Sequence, residues 1–210
     1  MKNLCYFYIP LAVIILASCS TSEFELEKSV YEPDAVMPSL PAYTEWGYNT
    51  FGAFYERKLF TYNDEEVPAK VINSAGMTRF ILKGELDRID YDDYYDGYDP
   101  DYTLMSLTFE LPDFNPETYT DLVLLNDKVI DLTAPDLDVI LVIGTDTVDM
   151  DIFDGELEFK RVQHLFVDEN PVKVILSGYF GFQALVNGEP VSMSYGRFDV
   201  GVDRYDFARY

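Results

Sequence analysis

Between Val172 and Val186 every second position is apolar or glycine: Val172, Val174, Leu176, Gly178, Phe180, Phe182, Ala184 and Val186. A period of two puts all of them on one face of an extended chain, whereas a helix would scatter them around its circumference. The stretch is therefore a strand with one buried face, and shorter stretches repeat its pattern. Met105, Leu107, Phe109 and Leu111 alternate with Ser106, Thr108 and Glu110, and Phe80, Leu82 and Leu86 alternate with Arg79, Lys83 and Glu85. Val139 to Ile143 is apolar throughout, the pattern of a strand covered on both sides. Asn187-Gly188 is a hairpin turn signal, and Asp168-Glu169-Asn170-Pro171 and Gly144-Thr145-Asp146 read as further turns. One helix start is present at Asn115-Pro116-Glu117, although the residues after it suit a strand equally well. About ten short strands without strand–helix alternation predict an all-β fold. The expected form is an antiparallel β-sandwich or flattened barrel with at most one short helix.

The N-terminus predicts where the domain sits. Lys2 precedes an apolar run from Leu4 to Leu16, which is too short to cross a bilayer core of about 20 apolar residues. It fits the apolar region of a secretion signal. The run ends in Leu16-Ala17-Ser18-Cys19, which resembles the lipobox of bacterial lipoproteins. That resemblance implies a signal peptide over residues 1–18, cleavage before Cys19, and acylation of the Cys19 sulfur and its new amino group. Multiple acyl chains hold stably, at about 0.8 kcal/mol per buried methylene. The only other cysteine, Cys5, leaves with the signal, so no intramolecular disulfide is expected. Residues 19–45 hold Pro33, Pro38 and Pro41 and no sustained period, and read as a lipidated N-terminus and flexible tether. Residues 46–210 are expected to form a single β domain. The alternating Glu23, Glu25 and Glu27 resemble the acidic export signal of surface lipoproteins from Bacteroidota, which implies the outer membrane and outward exposure.

Two hairpin sequences align with each other: Gly47 with Gly178, Tyr48 with Tyr179, Phe51 with Phe182, Ala53 with Ala184, and Phe60 with Val191. An internal duplication, two hairpins on one plan, and the coincidence that period-two patterning produces all account for this. The same segments resemble the opening and closing hairpins of small uncharacterised lipoproteins of Bacteroidota. The matching positions are Asn49 to Ala53 (N-T-F-G-A), Gly178 to Ala184 (G-x-F-x-F-x-A) and Gly196 to Asp199 (G-x-F-D). The resemblance implies a closing turn at Gly196–Asp199. Glu56-Arg57-Lys58 stands where that family has Asn-Gly, which implies a longer first hairpin. The family brings no activity with it.

A net charge of −23 excludes nucleic-acid binding, which needs phosphate neutralisation. The acidic, tyrosine-rich run from Asp87 to Tyr102 is the most conspicuous candidate site. It fails as an EF-hand: with Gly97 at the sixth position, Tyr94 falls at the third and Thr103 at the twelfth. An irregular calcium site from Asp93, Asp96, Asp99 and Asp101 stays open, against the ordinary reading of a polar connection between strands. Tyr94, Tyr95 and Tyr98, with Trp46, are candidates for stacking on sugar rings, although Trp46 beside the first strand is expected to pack at the core or rim. Catalysis is not expected. Any His-based triad must use His164, the only histidine, and the mature chain offers no thiol and no phosphate loop. No cofactor is expected. The chain thus reads as a lipid-anchored binding or scaffolding module, with a surface glycan-binding protein and a subunit of a fimbria-like assembly as alternatives. An unpaired edge at the C-terminal Asp203–Tyr210 would favour assembly by strand addition.

Overall fold

The computed structural model describes residues 29–62, 67–87 and 102–210. Cys19, Asp93, Asp96, Asp99, Asp101, Tyr94, Tyr95 and Tyr98 lie outside the described residues.

The fold is all-β, as the alternation predicts. Its strands are β1 (Thr50–Tyr55), β2 (Lys58–Thr61), β3 (Ala69–Ser74), β4 (Met77–Asp87), β5 (Tyr102–Leu111) and β6 (Lys128–Asp131). They continue with β7 (Val139–Ile143), β8 (Asp146–Val148), β9 (Asp151–Val167), β10 (Asn170–Val186), β11 (Glu189–Val202) and β12 (Phe207–Arg209). Hydrogen bonds join them in the order β6-β9-β10-β11-β1-β2-β4-β5-β7-β8, with β3 beside β2 on β4 and β12 on β3. Among the described residues only the β12–β3 pair is parallel.

The sheet folds over so that its two halves face each other. Phe80 of β4 meets Phe159 of β9 and Phe198 of β11, at ring-centroid distances of 5.5 and 5.2 Å. Phe109 of β5 meets Phe180 of β10 at 5.7 Å. Each of these phenylalanines is buried, and a fully buried phenylalanine contributes about 1.5–3 kcal/mol. The predicted inward sets of β4 and β5 are buried, with their polar neighbours half-buried or exposed. In β7 only Val139 and Leu141 are fully buried, so this strand is closed on one side rather than both. Ile140 and Val142, on its other face, are half-buried.

Four other expectations change. First, the segment predicted as tether is packed from Ser29 onward. Leu40 is fully buried, Pro33 bridges to Pro41, and the segment lies over the outer face of β10 and β11. Under this cover Ile175 and Ser177 are buried on the outer face of β10, in addition to its inward set. Second, Glu56 and Arg57 form a two-residue hairpin turn with φ of 48° and 70°, the same geometry as Asn187-Gly188 at 53° and 83°. The hairpin is no longer than its counterpart. Third, Gly196 to Asp199 lies within β11 and makes no turn. Fourth, the helix is a 3-10 helix at Tyr119–Leu125, beyond Asn115. Asn115 instead accepts a hydrogen bond from Asn73 Nδ2 at 2.7 Å, while Asp121 accepts from the backbone N–H groups of Glu117 and Thr118 at 2.9 Å each.

Candidate functional site

The outer face of β9–β10–β11 is built around a buried carboxylate. Asp199 is 1% exposed and points away from the core, because Phe198 and Val200 on either side take the inward positions. Its Oδ1 accepts from Gly47 N at 2.8 Å and from Ser177 Oγ at 3.0 Å. Its Oδ2 accepts from Trp46 N at 3.1 Å, from Tyr48 N at 3.2 Å and from the Thr44 hydroxyl. Residues 44–48 are thereby pinned to the sheet. Two residues earlier on the same face, Arg197 donates to Asp34 at 2.6 Å. The backbone N–H groups of Met37 and Val36, followed by the Arg197 guanidinium, hold the Asp34 carboxyl below the usual carboxylate range. Gly52 leaves the space for this cover, since a Cβ there would sit 2.6 Å from Pro41 Cδ.

The pinned segment delivers Tyr43 onto Tyr179 of β10. The rings stack at 4.6 Å with 23° between planes, and the Tyr43 hydroxyl donates to Glu45 at 3.0 Å. Burial, then Glu45, pushes the Tyr43 hydroxyl pKa up, and burial does the same for Tyr179. Both phenols stay neutral and able to donate across the physiological range. On one side of this pair, Tyr43, Trp46, Arg161 and Gln163 line a recess of about 440 Å³. Gln163 Nε2 donates to Glu45 O at 2.8 Å and fixes its inner wall. On the other side is an open groove of about 610 Å³ across β9, β10 and β11.

The floor of the groove holds Gly155, Gly181 and Gly196, one from each strand. Gly155 and Gly196 are dictated by packing, because a Cβ would lie 2.5 Å from Phe182 Cβ and 2.3 Å from Phe180 O respectively. Gly181 is less constrained. A Cβ there meets nothing nearer than Met193 O at 3.2 Å, and any longer side chain would point into the groove. Asp154 and Glu156 stand exposed on the β9 side, and neither carboxylate has a partner among the described residues. On the β11 side the strand bulges. Gly52 pairs with Arg197 and Phe54 with Ser194, and Phe180 pairs with Gly196 and Phe182 with Met193, so β11 carries an additional residue at this point. Tyr195 sits in the bulge with φ of 55° and is 61% exposed. A tyrosine in the left-handed region costs about 1–3 kcal/mol, and bulges re-aim side chains. Phe54 meets the Tyr195 ring edge-on at 6.4 Å.

Among the described residues, Trp46 is the sugar-stacking candidate that the structure brings to this face. It is 73% exposed, a correction to the core or rim packing expected of it. His164 is half-buried on β9, and its Nε2 donates to Thr120 O at 2.9 Å. The C-terminal tail pairs on one side with β3, and β12 has no second neighbour among the described strands. Val71 N donates to Asp206 O and Tyr210 N to Asn73 O, each at 2.9 Å. Tyr43, Tyr179, Tyr195 and Gly181 were missed by sequence reasoning. The one signal for them was the glycine inside each of two otherwise strand-like runs.

No known protein family matches the chain, and comparison with curated proteins and with solved structures finds no match for it.

Proposed function

We propose that this chain is a lipoprotein of the Bacteroidota type, anchored in the outer membrane through Cys19 and facing outward, whose β domain is a non-catalytic binding module. The observation that carries the binding role is the groove of about 610 Å³ on the outer face of β9–β10–β11. It falls within the range of about 300–1,000 Å³ usual for small-ligand sites. Its tyrosine walls are braced by Tyr43 and Phe54, so little side-chain freedom is lost when a ligand seats.

Of the two alternatives, glycan binding gains from the groove. Fimbria-like assembly keeps the outer edge of β12, which pairs with β3 alone among the described strands. The anchor is tested by expressing Cys19→Ala in a host that lipidates. Wild type is expected in the outer-membrane fraction and labelled by a fatty-acid probe, with the variant unlabelled and released. A labelled Cys19→Ala variant, or an unlabelled wild type in the soluble fraction, overturns the reading.

A further inference from the structure

The groove contains more than an aromatic surface, and its chemistry identifies a ligand class. We propose that it binds an uncharged oligosaccharide, with one sugar ring lying over Gly181 between Tyr179 and Tyr195 and its hydroxyls bonded to Asp154, Glu156 and Gln183. The inference rests on the binding-module reading and specifies its ligand.

Three observations carry it. The first is Gly181. A glycine inside a strand costs about 0.5–1 kcal/mol relative to alanine and marks a close approach of backbone or ligand. Backbone and side chains account for Gly155 and Gly196 at 2.3–2.5 Å, whereas at Gly181 the single approach is Met193 O at 3.2 Å, tight but not prohibitive. Its missing side chain spares that contact and also leaves the floor open. The second is Tyr195, an exposed tyrosine held at φ of 55° by a bulge at the groove's edge. Strain of this kind persists where the surroundings fix it, and here the ladders to β1 and β10 on either side of the bulge do so. Together the two tyrosines offer the apolar faces that the C–H side of a pyranose requires.

The third is the balance of polar groups. Sugar hydroxyls both donate and accept. The free carboxylates of Asp154 and Glu156 accept, while the Gln183 amide and the tyrosine hydroxyls donate. A cation would use acceptors alone and leave those donors unpaired. An anionic glycan would meet two unpaired carboxylates on a chain of net charge −23, with the groove's one guanidinium, Arg197, already paired to Asp34. The groove therefore selects for neutrality.

The test uses the full chain in detergent and a panel of neutral polysaccharides (starch, dextran, mannan, xylan and mixed-linkage glucan). Polygalacturonate and heparin serve as anionic comparators and poly-lysine as the cationic one. Affinity electrophoresis is expected to show retardation by at least one neutral polysaccharide and by neither anionic one. Tyr195→Ala should weaken that binding about tenfold or more, as loss of a stacking face does. Gly181→Leu should abolish it, with an unchanged circular dichroism spectrum confirming the fold. If Gly181→Leu misfolds, the exposed Tyr195→Ala variant decides alone. No retardation by any neutral polysaccharide, retardation by poly-lysine only, or full binding by folded Tyr195→Ala would each overturn the inference. None of those results alters Cys19-dependent membrane retention, so the anchor reading stands or falls separately.

Discussion

Replacing Asp199 with asparagine removes one oxygen from a carboxylate that takes five hydrogen bonds, three of them from backbone N–H groups. The asparagine can turn either way. With its NH₂ at the Oδ2 position, Trp46 N and Tyr48 N both face a donor. With the NH₂ at the Oδ1 position only Gly47 N does, because the Ser177 hydroxyl can rotate to accept. The cheaper orientation therefore strands one buried backbone donor, at about 1–3 kcal/mol, and turns the remaining charge-assisted bonds into neutral ones. The total expected loss is about 2–5 kcal/mol, a large share of the 5–15 kcal/mol typical of a domain. Urea denaturation of the purified chain measures it. The only tryptophan, Trp46, lies in the pinned segment, so its fluorescence anisotropy reports local release while far-ultraviolet circular dichroism reports the sheet. In wild type the two transitions should coincide. In Asp199→Asn the anisotropy transition should come first, with residues 29–48 newly open to protease. A loss below about 1 kcal/mol with coincident transitions would show that the segment is held by something other than this carboxylate.

Other variants probe separate parts of the fold. Gly178→Ala should cost about 3 kcal/mol or more in urea denaturation, since its methyl would sit 1.9 Å from Glu158 O between β9 and β10. Gly188→Ala, with φ of +83° and open space around it, should cost only about 1 kcal/mol. Arg57→Gly should stabilise by about 1 kcal/mol and raise the thermal midpoint, because Arg57 occupies φ of 70° in a turn that suits glycine. Burial, reinforced by Asp203 and opposed by Lys173 and Lys70, pushes the Asp206 carboxyl up to about 6 from 3.8. The folded state thus binds the proton more tightly than the unfolded one, and stability falls as pH rises from about 4 to 6. Asp206→Asn should match wild type at pH 3.5 and exceed it at pH 7.5 by about 1 kcal/mol, after allowance for solvent screening at a half-exposed site. Equal denaturation midpoints at both pH values would remove this account of Asp206.

The inward faces of β4, β5 and β10 were legible because one closed core imposes one period on each strand, and Phe80, Phe109 and Phe182 obey it. The outer face was not legible. A charged residue between Phe198 and Val200 looks solvent-facing by parity, and parity cannot show that residues 44–48 return to cover it. The bulge at Tyr195 adds one residue without an unusual local sequence, so the register change appears only when β1 and β10 are paired with β11. Tyr43 comes from a proline-broken stretch with no period, yet its contact with Tyr179 across more than a hundred residues separates the two recesses. The turn at Glu56-Arg57 was hidden because two ordinary residues occupy left-handed positions that asparagine and glycine usually signal. The acidic run from Asp87 to Tyr102 drew attention through composition alone, and most of it lies beyond the described residues.

The central claim is that this sheet domain works from a lipid anchor at the cell envelope. Intact-mass spectrometry of the native protein, extracted from envelopes with detergent, tests it most directly. The account predicts a polypeptide beginning at Cys19 and heavier than residues 19–210 by its acyl groups. A species with Met1 retained and no added lipid would contradict it.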